Sequence, residues 1–164
     1  MSSAPAIRPA GALPDSLTGR GGSPIPVVVV GGGQAGLSMS YCLGRRGVDH
    51  VVIEANRVGY EWRERRWDSF CLVTPNWQCN LPGYPYQGDD PDGFMVRDEI
   101  VRYLEDYVSF FRPPLVEGVT VTRLRRSPNG VFELSTTAGD FTAEQVVVAT
   151  GPCHTPSIPP MSQR

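Results

Sequence analysis

The sequence contains no lysine, so two kinds of active site are excluded from the start: all fifteen of its basic residues are arginine. Without lysine, the chain can form neither a Schiff base with a carbonyl substrate nor the lysine–phosphate contact of a P-loop nucleotide site. The formal net charge of -2 gives no electrostatic reason to expect nucleic acid as a partner.

Cysteine and histidine are also scarce, and neither shows the spacing of a metal or redox centre. The cysteines are Cys42, Cys71, Cys79 and Cys153, and no two of them form a Cys-x-x-Cys pair. His50 and His154 have no metal-ligand spacing to each other or to a pair of carboxylates. We therefore expect neither a redox-active dithiol nor a metal site, and we expect Cys42 to be a small buried residue of a helix.

Long apolar runs are absent as well. No run approaches the roughly 20 residues that a membrane-spanning helix needs, so no membrane partner is expected. Residues 1–24 are rich in Ala, Pro, Gly and Ser and lack the apolar stretch of a secretory signal. They predict a disordered tail and a cytoplasmic protein. One folded domain is expected over residues 25–151, and the proline-rich residues 152–164 are interpreted as a linker.

Residues 25–54 have the pattern of a strand, a helix and a second strand. The β-branched run from Ile25 to Gly31 is typical of a strand buried on both faces of a parallel sheet. A helix is predicted from Gln34 to Arg46, and a second strand, His50 to Ile53, ends at Glu54. The predicted apolar side of the helix comprises Ala35, Met39, Cys42 and Leu43.

The remaining residues predict an irregular segment, one helix and a group of short strands. Residues 56–91 are interpreted as an irregular, aromatic-rich functional loop, and Arg97 to Phe111 as a helix. The apolar side of that helix comprises Ile100, Val101, Leu104, Tyr107, Val108 and Phe111. Strands at Val119–Leu124, Val131–Thr136 and Phe141–Ala143 form a meander, and Gln145–Ala149 is another buried parallel strand. The predicted fold class is α/β: a Rossmann-like parallel sheet with a βαβ unit and an inserted three-stranded antiparallel meander.

The motif Gly31-Gly32-Gly33-Gln34-Ala35-Gly36 matches the dinucleotide-binding pattern Gly-x-Gly-x-x-Gly. Gly31 allows the tight turn out of the strand, Gly33 lets the backbone touch a pyrophosphate, and Gly36 lets the helix pack closely on the strand. The pyrophosphate is expected on the free N–H groups and the positive end of the helix that begins near Gln34 and Ala35.

Glu54 stands about 20 residues after the glycines, as a dinucleotide site requires. It is expected to accept hydrogen bonds from the adenosine ribose hydroxyls, and its charge disfavours the 2′-phosphate of NADPH in this site. Since both FAD and NAD bind to this motif, the glycines alone leave the choice between them open.

The elements that follow Glu54 favour FAD, because they resemble the FAD domain of flavoproteins with two dinucleotide-binding domains. In that superfamily a meander interrupts the parallel sheet. The strand ending Val148-Ala149-Thr150-Gly151 resembles the superfamily's second signature, where the chain leaves the FAD domain toward the NADPH domain. The resemblance implies that Thr150 and Gly151 belong to the cofactor site.

The segment from Trp62 to Pro82 is similar to flavin-containing monooxygenases of the YUCCA type. The matching residues are Trp62, Arg66-Trp67-Asp68, Leu72, Pro75 and Cys79-Asn80-Leu81-Pro82, and the resemblance extends from about Val27 to Pro160. It implies that Trp62 lies along the pyrophosphate and ribityl side of FAD and that Val121 approaches the adenine. Trp67, Phe70 and Trp77 are interpreted as packing residues.

The resemblance implies an NADPH-dependent flavin monooxygenase that oxygenates a small nucleophilic or carbonyl substrate. Because the flavin carries this chemistry, no catalytic side chain is predicted. The sequence has no second Gly-rich motif, so we expect the FAD-binding portion of an enzyme, inactive alone and completed by a C-terminal half or a second polypeptide that binds NADPH. The alternatives are a non-catalytic nucleotide-binding module or remnant and a related disulfide reductase, which the missing dithiol spacing disfavours.

Overall fold

The computed structural model of the chain describes residues 23–151 and 158–163. Almost all of the predicted tail, part of the predicted linker, and Cys153 and His154 lie outside the described residues. Within 158–163, Pro160–Gln163 form one turn of 3-10 helix. None of the helices in the described ranges combines the length and the apolar character needed to cross a membrane.

Over the described part of residues 23–151, eight strands and three α-helices make up the domain. In chain order they are β1 (Ile25–Val30), α1 (Gln34–Arg45), β2 (His50–Glu54), α2 (Tyr60–Arg65), β3 (Asn80–Leu81), β4 (Tyr84–Pro85), α3 (Arg97–Phe111), β5 (Leu115–Glu117), β6 (Val121–Arg126), β7 (Phe132–Thr136) and β8 (Gly139–Val148). Six strands form one sheet in the order β5-β2-β1-β8-β7-β6, and β3 and β4 form a separate hairpin. Strands β5, β2, β1 and β8 are parallel, while β7 and β6 continue the sheet in antiparallel pairing. The predicted α/β fold class is confirmed.

The C-terminal ends of the parallel strands meet at one edge of the sheet. Val30 of β1 pairs with Ile53 of β2 on one side and with Val148 of β8 on the other. The residues that leave these three strands therefore lie side by side. In open α/β sheets, ligands bind at this edge.

Strand β1 is buried on both faces, as its β-branched run predicts. Val28 packs into one cluster with residues of β2, β5 and β8, while Val27 and Val29 pack into another with Val52. Val28 and Val29 are fully buried, and each such side chain contributes about 1.5–3 kcal/mol on leaving water. The strand predicted at Gln145–Ala149 was also expected to be buried, and this is wrong: none of its residues is fully buried, and Val148 is 63% exposed.

Helix α1 turns only part of its predicted apolar side to the sheet: Leu43 packs against the cluster of Val27, Val29 and Val52, but Ala35 is exposed and Cys42 is only half-buried. Gly36, Leu37 and Ser40 are buried, whereas Met39 is exposed. The spacing of apolar residues did not predict that Ser40 is buried. Ser40 is buried beside a polar partner, because its Oγ lies 2.8 Å from Nε2 of His50. A hydrogen-bonded hydroxyl can be buried at little cost. The helix ends at Arg45, one residue before the predicted end.

Helix α3 has the predicted bounds and the predicted apolar side, with Ile100, Val101, Leu104 and Tyr107 buried. Glu99, in its first turn, accepts a hydrogen bond from the backbone N–H of Val96, at 3.0 Å. The helix ends where Arg112 takes the left-handed conformation, with φ of 49°. The helix is therefore a case in which local sequence signals decide both bounds.

Three element predictions need correction. The segment interpreted as irregular contains α2, a 3-10 turn at Asn76–Gln78 and the β3–β4 hairpin. Strand β5 was not predicted, because a three-residue strand directly after two prolines has too little pattern to read. The strands expected at Phe141–Ala143 and Gln145–Ala149 are the single strand β8, whose first half pairs with β7 and whose second half pairs with β1.

Candidate dinucleotide-binding site

The Gly-rich motif forms the corner between β1 and α1, and two of its glycines are required by the fold itself. Gly31 has φ of +111°, a conformation that side chains disfavour, and a Cβ there would lie 2.4 Å from the carbonyl oxygen of Ala149. A Cβ on Gly36 would lie 1.9 Å from the carbonyl oxygen of Gly31. Both contacts are with backbone atoms, so neither position can accept a side chain without moving the chain.

Gly33 is different, because the fold does not require a glycine there. Its φ of -80° and ψ of -172° are extended values that any residue adopts. A Cβ on Gly33 would meet no atom within 4 Å. A glycine at this position therefore leaves a space that the protein does not fill, as a site needs if a ligand is to approach the backbone closely.

The N-terminus of α1 opens on the same space. The helix has neither a side-chain cap nor an acidic residue in its first turn. The N–H groups of a first helical turn have no carbonyl partner within the helix, and they carry the positive end of the helix dipole. Gln34 and Ala35 are both exposed there, so this end of the helix suits an anionic group.

Glu54, at the end of β2, is fixed beside the corner by two backbone hydrogen bonds. Its Oε2 accepts the N–H of Gly32 at 2.6 Å, and its Oε1 accepts the N–H of Asn56 at 2.9 Å. Each carboxylate oxygen keeps a further lone pair for a ligand donor. The bond to Gly32 was not predicted, and it means that Glu54 also holds the Gly-rich loop in place.

These residues share one cavity of about 880 Å³, a volume within the usual range of ligand pockets. All of the residues predicted for the cofactor site line the cavity except Gly36, which is buried behind the corner. The lining residues among them are Gly31, Gly33, Gln34, Ala35, Glu54, Trp62, Val121, Thr150 and Gly151. Residues far apart in the sequence are thus brought to one side of the sheet.

The cavity also has walls that the sequence did not predict. Ser38, Arg57, Arg66 and Thr120 line it. The Arg66 guanidinium lies over the Trp62 ring, with Cζ 5.1 Å from the ring centroid. Isolated polar residues on a helix or in a loop produce no periodic signal, so only the three-dimensional arrangement assigns them to the cavity.

Two of the three aromatic residues predicted to be packing residues are largely exposed. Trp67 keeps 65% and Trp77 keeps 60% of their surfaces exposed. Phe70 does pack, with its ring centroid 5.6 Å from that of Trp62 and 5.0 Å from that of Trp67. The prediction is therefore wrong for Trp77, whereas Trp67 packs against Phe70 with only part of its surface.

Cysteine and metal chemistry find no support in the residues that the structure describes. Cys42, Cys71 and Cys79 are free thiols, and burial raises the pKa of the Cys79 thiol above its usual value. In the same ranges, no three His, Cys, Asp or Glu side chains are grouped so that they could hold a metal ion.

The sheet and the corner define an α/β dinucleotide-binding domain, and comparison with known proteins gives its family. Residues 28–163 match the family described as pyridine nucleotide-disulphide oxidoreductase, and the chain belongs to that family. It is 41% identical, over 140 residues, to an uncharacterized CzcO-like oxidoreductase of Geobacillus kaustophilus (strain HTA426). The matched region covers 85% of this chain and 39% of that protein.

Two further relatives carry the word monooxygenase in their names. The indole-3-pyruvate monooxygenase YUCCA6 of Arabidopsis thaliana is 31% identical over 138 residues, covering 80% of this chain and 33% of that protein. A solved flavin-containing monooxygenase from Stenotrophomonas maltophilia superposes with a TM-score of 0.72 at 30% identity, covering 82% of this chain and 42% of that one. The predicted resemblance is confirmed, and the chain spans 39% or less of the length of the two curated relatives named here.

Proposed function

We propose that this chain is the FAD-binding portion of an NAD(P)H-dependent flavin monooxygenase or oxidoreductase. The observation that carries the proposal is the unfilled space at Gly33, next to the uncapped N-terminus of α1 and the carboxylate of Glu54. A merely structural turn needs the glycines at positions 31 and 36, but it does not need one at position 33.

The residues around the cavity fit FAD. The pyrophosphate would bind to the N–H groups of Gln34 and Ala35 and against Gly33, and the free lone pairs of Glu54 would accept the ribose hydroxyls. Val121 would border the adenine. Trp62, Thr150 and Gly151 would flank the part of the cofactor that leads to the flavin. Bound FAD supplies the redox chemistry, and these residues bind it, orient it and exclude water.

NADPH is assigned to a second site in the complete enzyme. The Glu54 carboxylate would repel a 2′-phosphate, so this cavity suits FAD rather than NADPH. We place the second site in the region of the relatives that this chain does not span, present either as a C-terminal half or as a second polypeptide. The substrate would be a small nucleophilic or carbonyl compound, and the protein would act in the cytoplasm.

Two other functions are compatible with a member of this family. A disulfide reductase would need a reactive dithiol, and the described cysteines include no Cys-x-x-Cys pair. A non-catalytic FAD-binding module or remnant would bind FAD in the same cavity but would not transfer electrons from NADPH. Adding the remaining region to this chain distinguishes the two cases, because only the enzyme would then oxidise NADPH.

The test of the proposal is FAD binding by the purified chain and by its Gly33→Val variant. The valine side chain would fill the space against which the pyrophosphate lies, so we expect an affinity loss of at least about tenfold. Stability should change by no more than about 1 kcal/mol, because nothing lies within 4 Å of the new Cβ. The chain alone should not oxidise NADPH.

Gly44→Val is the matched control. It introduces the same side chain near the other end of α1, where a Cβ would make only an ordinary contact, 4.0 Å from Cε1 of His50. Equal FAD affinity for the two variants would place the cofactor away from the corner and contradict the proposal.

A further inference from the structure

Arg66 follows α2 and lies in the wall of the cavity beside Trp62. Its guanidinium carbon is 5.1 Å from the centroid of the Trp62 ring and 5.8 Å from that of Phe70. Ring faces attract a cation electrostatically. The two rings thus form a platform that orders this long side chain before any ligand binds, which lowers the entropy cost of binding through it.

The stacking leaves the edge of the guanidinium available. An arginine has five N–H donors in one plane, and Nη1 of Arg66 donates to the carbonyl oxygen of Arg65 at 3.2 Å. Within residues 23–151 and 158–163, no carboxylate forms an ion pair with Arg66.

Neighbouring arginines in the same part of the fold are paired differently. Arg63 lies 2.7 Å from a carboxylate oxygen of Glu105, and Arg97 lies 2.6 Å from one of Asp68. These pairs hold α2 and its following loop to α3. Arg66 is turned instead toward the aromatic platform and the cavity, which sets it apart from the arginines that hold surface elements together.

We propose that Arg66 binds the pyrophosphate of FAD, an inference that rests on the proposed function. The only negative charges of FAD are those of its two phosphate groups, and a guanidinium forms paired, charge-assisted hydrogen bonds with phosphate oxygens. The helix N-terminus offers dipoles to the same group, and Arg66 adds a full charge. Trp62 acts as a positioning residue, through the guanidinium that it orders.

The experiment is a calorimetric titration of the purified chain with FAD, ADP and adenosine. We compare the wild type with Arg66→Gln, Arg66→Lys and the control Arg65→Gln. Arg65 is the adjacent exposed arginine and does not line the cavity. Arg66→Gln should weaken FAD and ADP binding by about tenfold or more, and the affinity for adenosine, which lacks phosphate, should not change. Arg66→Lys should recover part of the loss, since it keeps the charge but not the fork of donors.

Trp62→Leu tests the positioning role. It should weaken ADP binding in the wild type and have little further effect in Arg66→Gln, because the platform acts through the arginine. The circular dichroism spectrum of each variant shows that it is folded.

Two results would overturn the inference while leaving the proposed function intact. One is FAD affinity of Arg66→Gln equal to that of Arg65→Gln. Another is an equal loss for adenosine and ADP, which would show that Arg66 contacts the nucleoside rather than the phosphates. If the wild type binds neither FAD nor ADP, the proposed function fails and the inference fails with it.

Discussion

The corner at residues 31–36 and the segment at residues 56–96 both contribute walls to the cavity, but different interactions hold them in place. The corner depends on backbone contacts: the N–H of Gly31 donates to the carbonyl of Ile53 at 2.8 Å, and Gly36 touches the Gly31 backbone. The segment depends on side-chain hydrogen bonds between residues distant in the sequence, both within the segment and from α3. Only the corner can be recognised in the sequence, from the spacing of its glycines.

Asn76 and Tyr103 show how the segment is held. The buried amide of Asn76 donates to the carbonyl of Asp90 at 2.9 Å and accepts the N–H of Met95 at 2.6 Å. The hydroxyl oxygen of Tyr103, on α3, lies 3.1 Å from the backbone nitrogen of Leu81 and 2.5 Å from the carbonyl oxygen of Tyr84. Each side chain replaces the backbone pairing that a regular element would provide.

The largest effect is expected in the corner, from Gly36→Ala. The added Cβ would lie 1.9 Å from a backbone oxygen, so helix and strand must separate, and we expect a loss of about 3 kcal/mol or more in the free energy of unfolding. Urea denaturation measures it. The matched control is Gly33→Ala, where nothing lies within 4 Å and the loss should stay below about 1 kcal/mol. Similar losses in the two variants would refute the close helix–strand contact.

A smaller loss is expected in the segment, from Asn76→Ala. The substitution leaves the carbonyl of Asp90 and the N–H of Met95 without their partner, and an unsatisfied buried polar group costs about 1–3 kcal/mol. Urea denaturation again gives the value, and Gln78→Ala, at an exposed position of the same turn, is the control. If Asn76→Ala is as stable as the control, the segment is not held by this amide.

The smallest loss in the free energy of unfolding is expected from Tyr103→Phe, about 1 kcal/mol near neutral pH. The size of this loss depends on pH. Burial raises the pKa of Tyr103, and also that of Tyr107, above the ordinary value of 10.0. The folded state therefore favours the protonated phenol. This contribution to stability is complete below pH 10 and is lost as the pH rises toward the raised pKa of the folded state.

Unfolding curves measured between pH 8 and pH 11 test this sign. The wild type should lose stability above about pH 10, and Tyr103→Phe should lose less over the same interval. Tyr60→Phe is the control, because the Tyr60 hydroxyl holds no backbone group among the described residues. A steeper alkaline loss in Tyr103→Phe than in the wild type would contradict the assignment.

The corner could be predicted from the sequence because its determinants are local. The local backbone geometry requires the glycine spacing, the β-branched run of β1 and the carboxylate at the end of β2. The structure brings all three to one edge of the sheet. Helix α3 was predictable for the same reason, since its acidic first turn and its apolar side lie within fifteen residues.

The remaining features depend on contacts between distant residues. The buried side of α1 was predicted only in part, because the contact between Ser40 and His50 makes a buried polar residue acceptable there. The hairpin of residues 80–85 is held by Tyr103, which bonds to its backbone groups, and Asn76 ties the turn at residues 76–78 to Asp90 and Met95. The place of Arg66 in the cavity wall depends on a platform of two rings, and the resemblance of its segment to flavin-containing monooxygenases gave it no role of its own.

The central claim is that the pyrophosphate of an adenine dinucleotide binds at the N-terminus of α1, and NMR tests it most directly. Amide signals of the ¹⁵N-labelled chain are followed during titration with ADP. We predict saturable shifts that are largest at Gly33, Gln34 and Ala35 and small at the distant turn around Gly130. If ADP saturates the chain and these three amides do not move, or if no signal responds at millimolar ADP, the claim is contradicted.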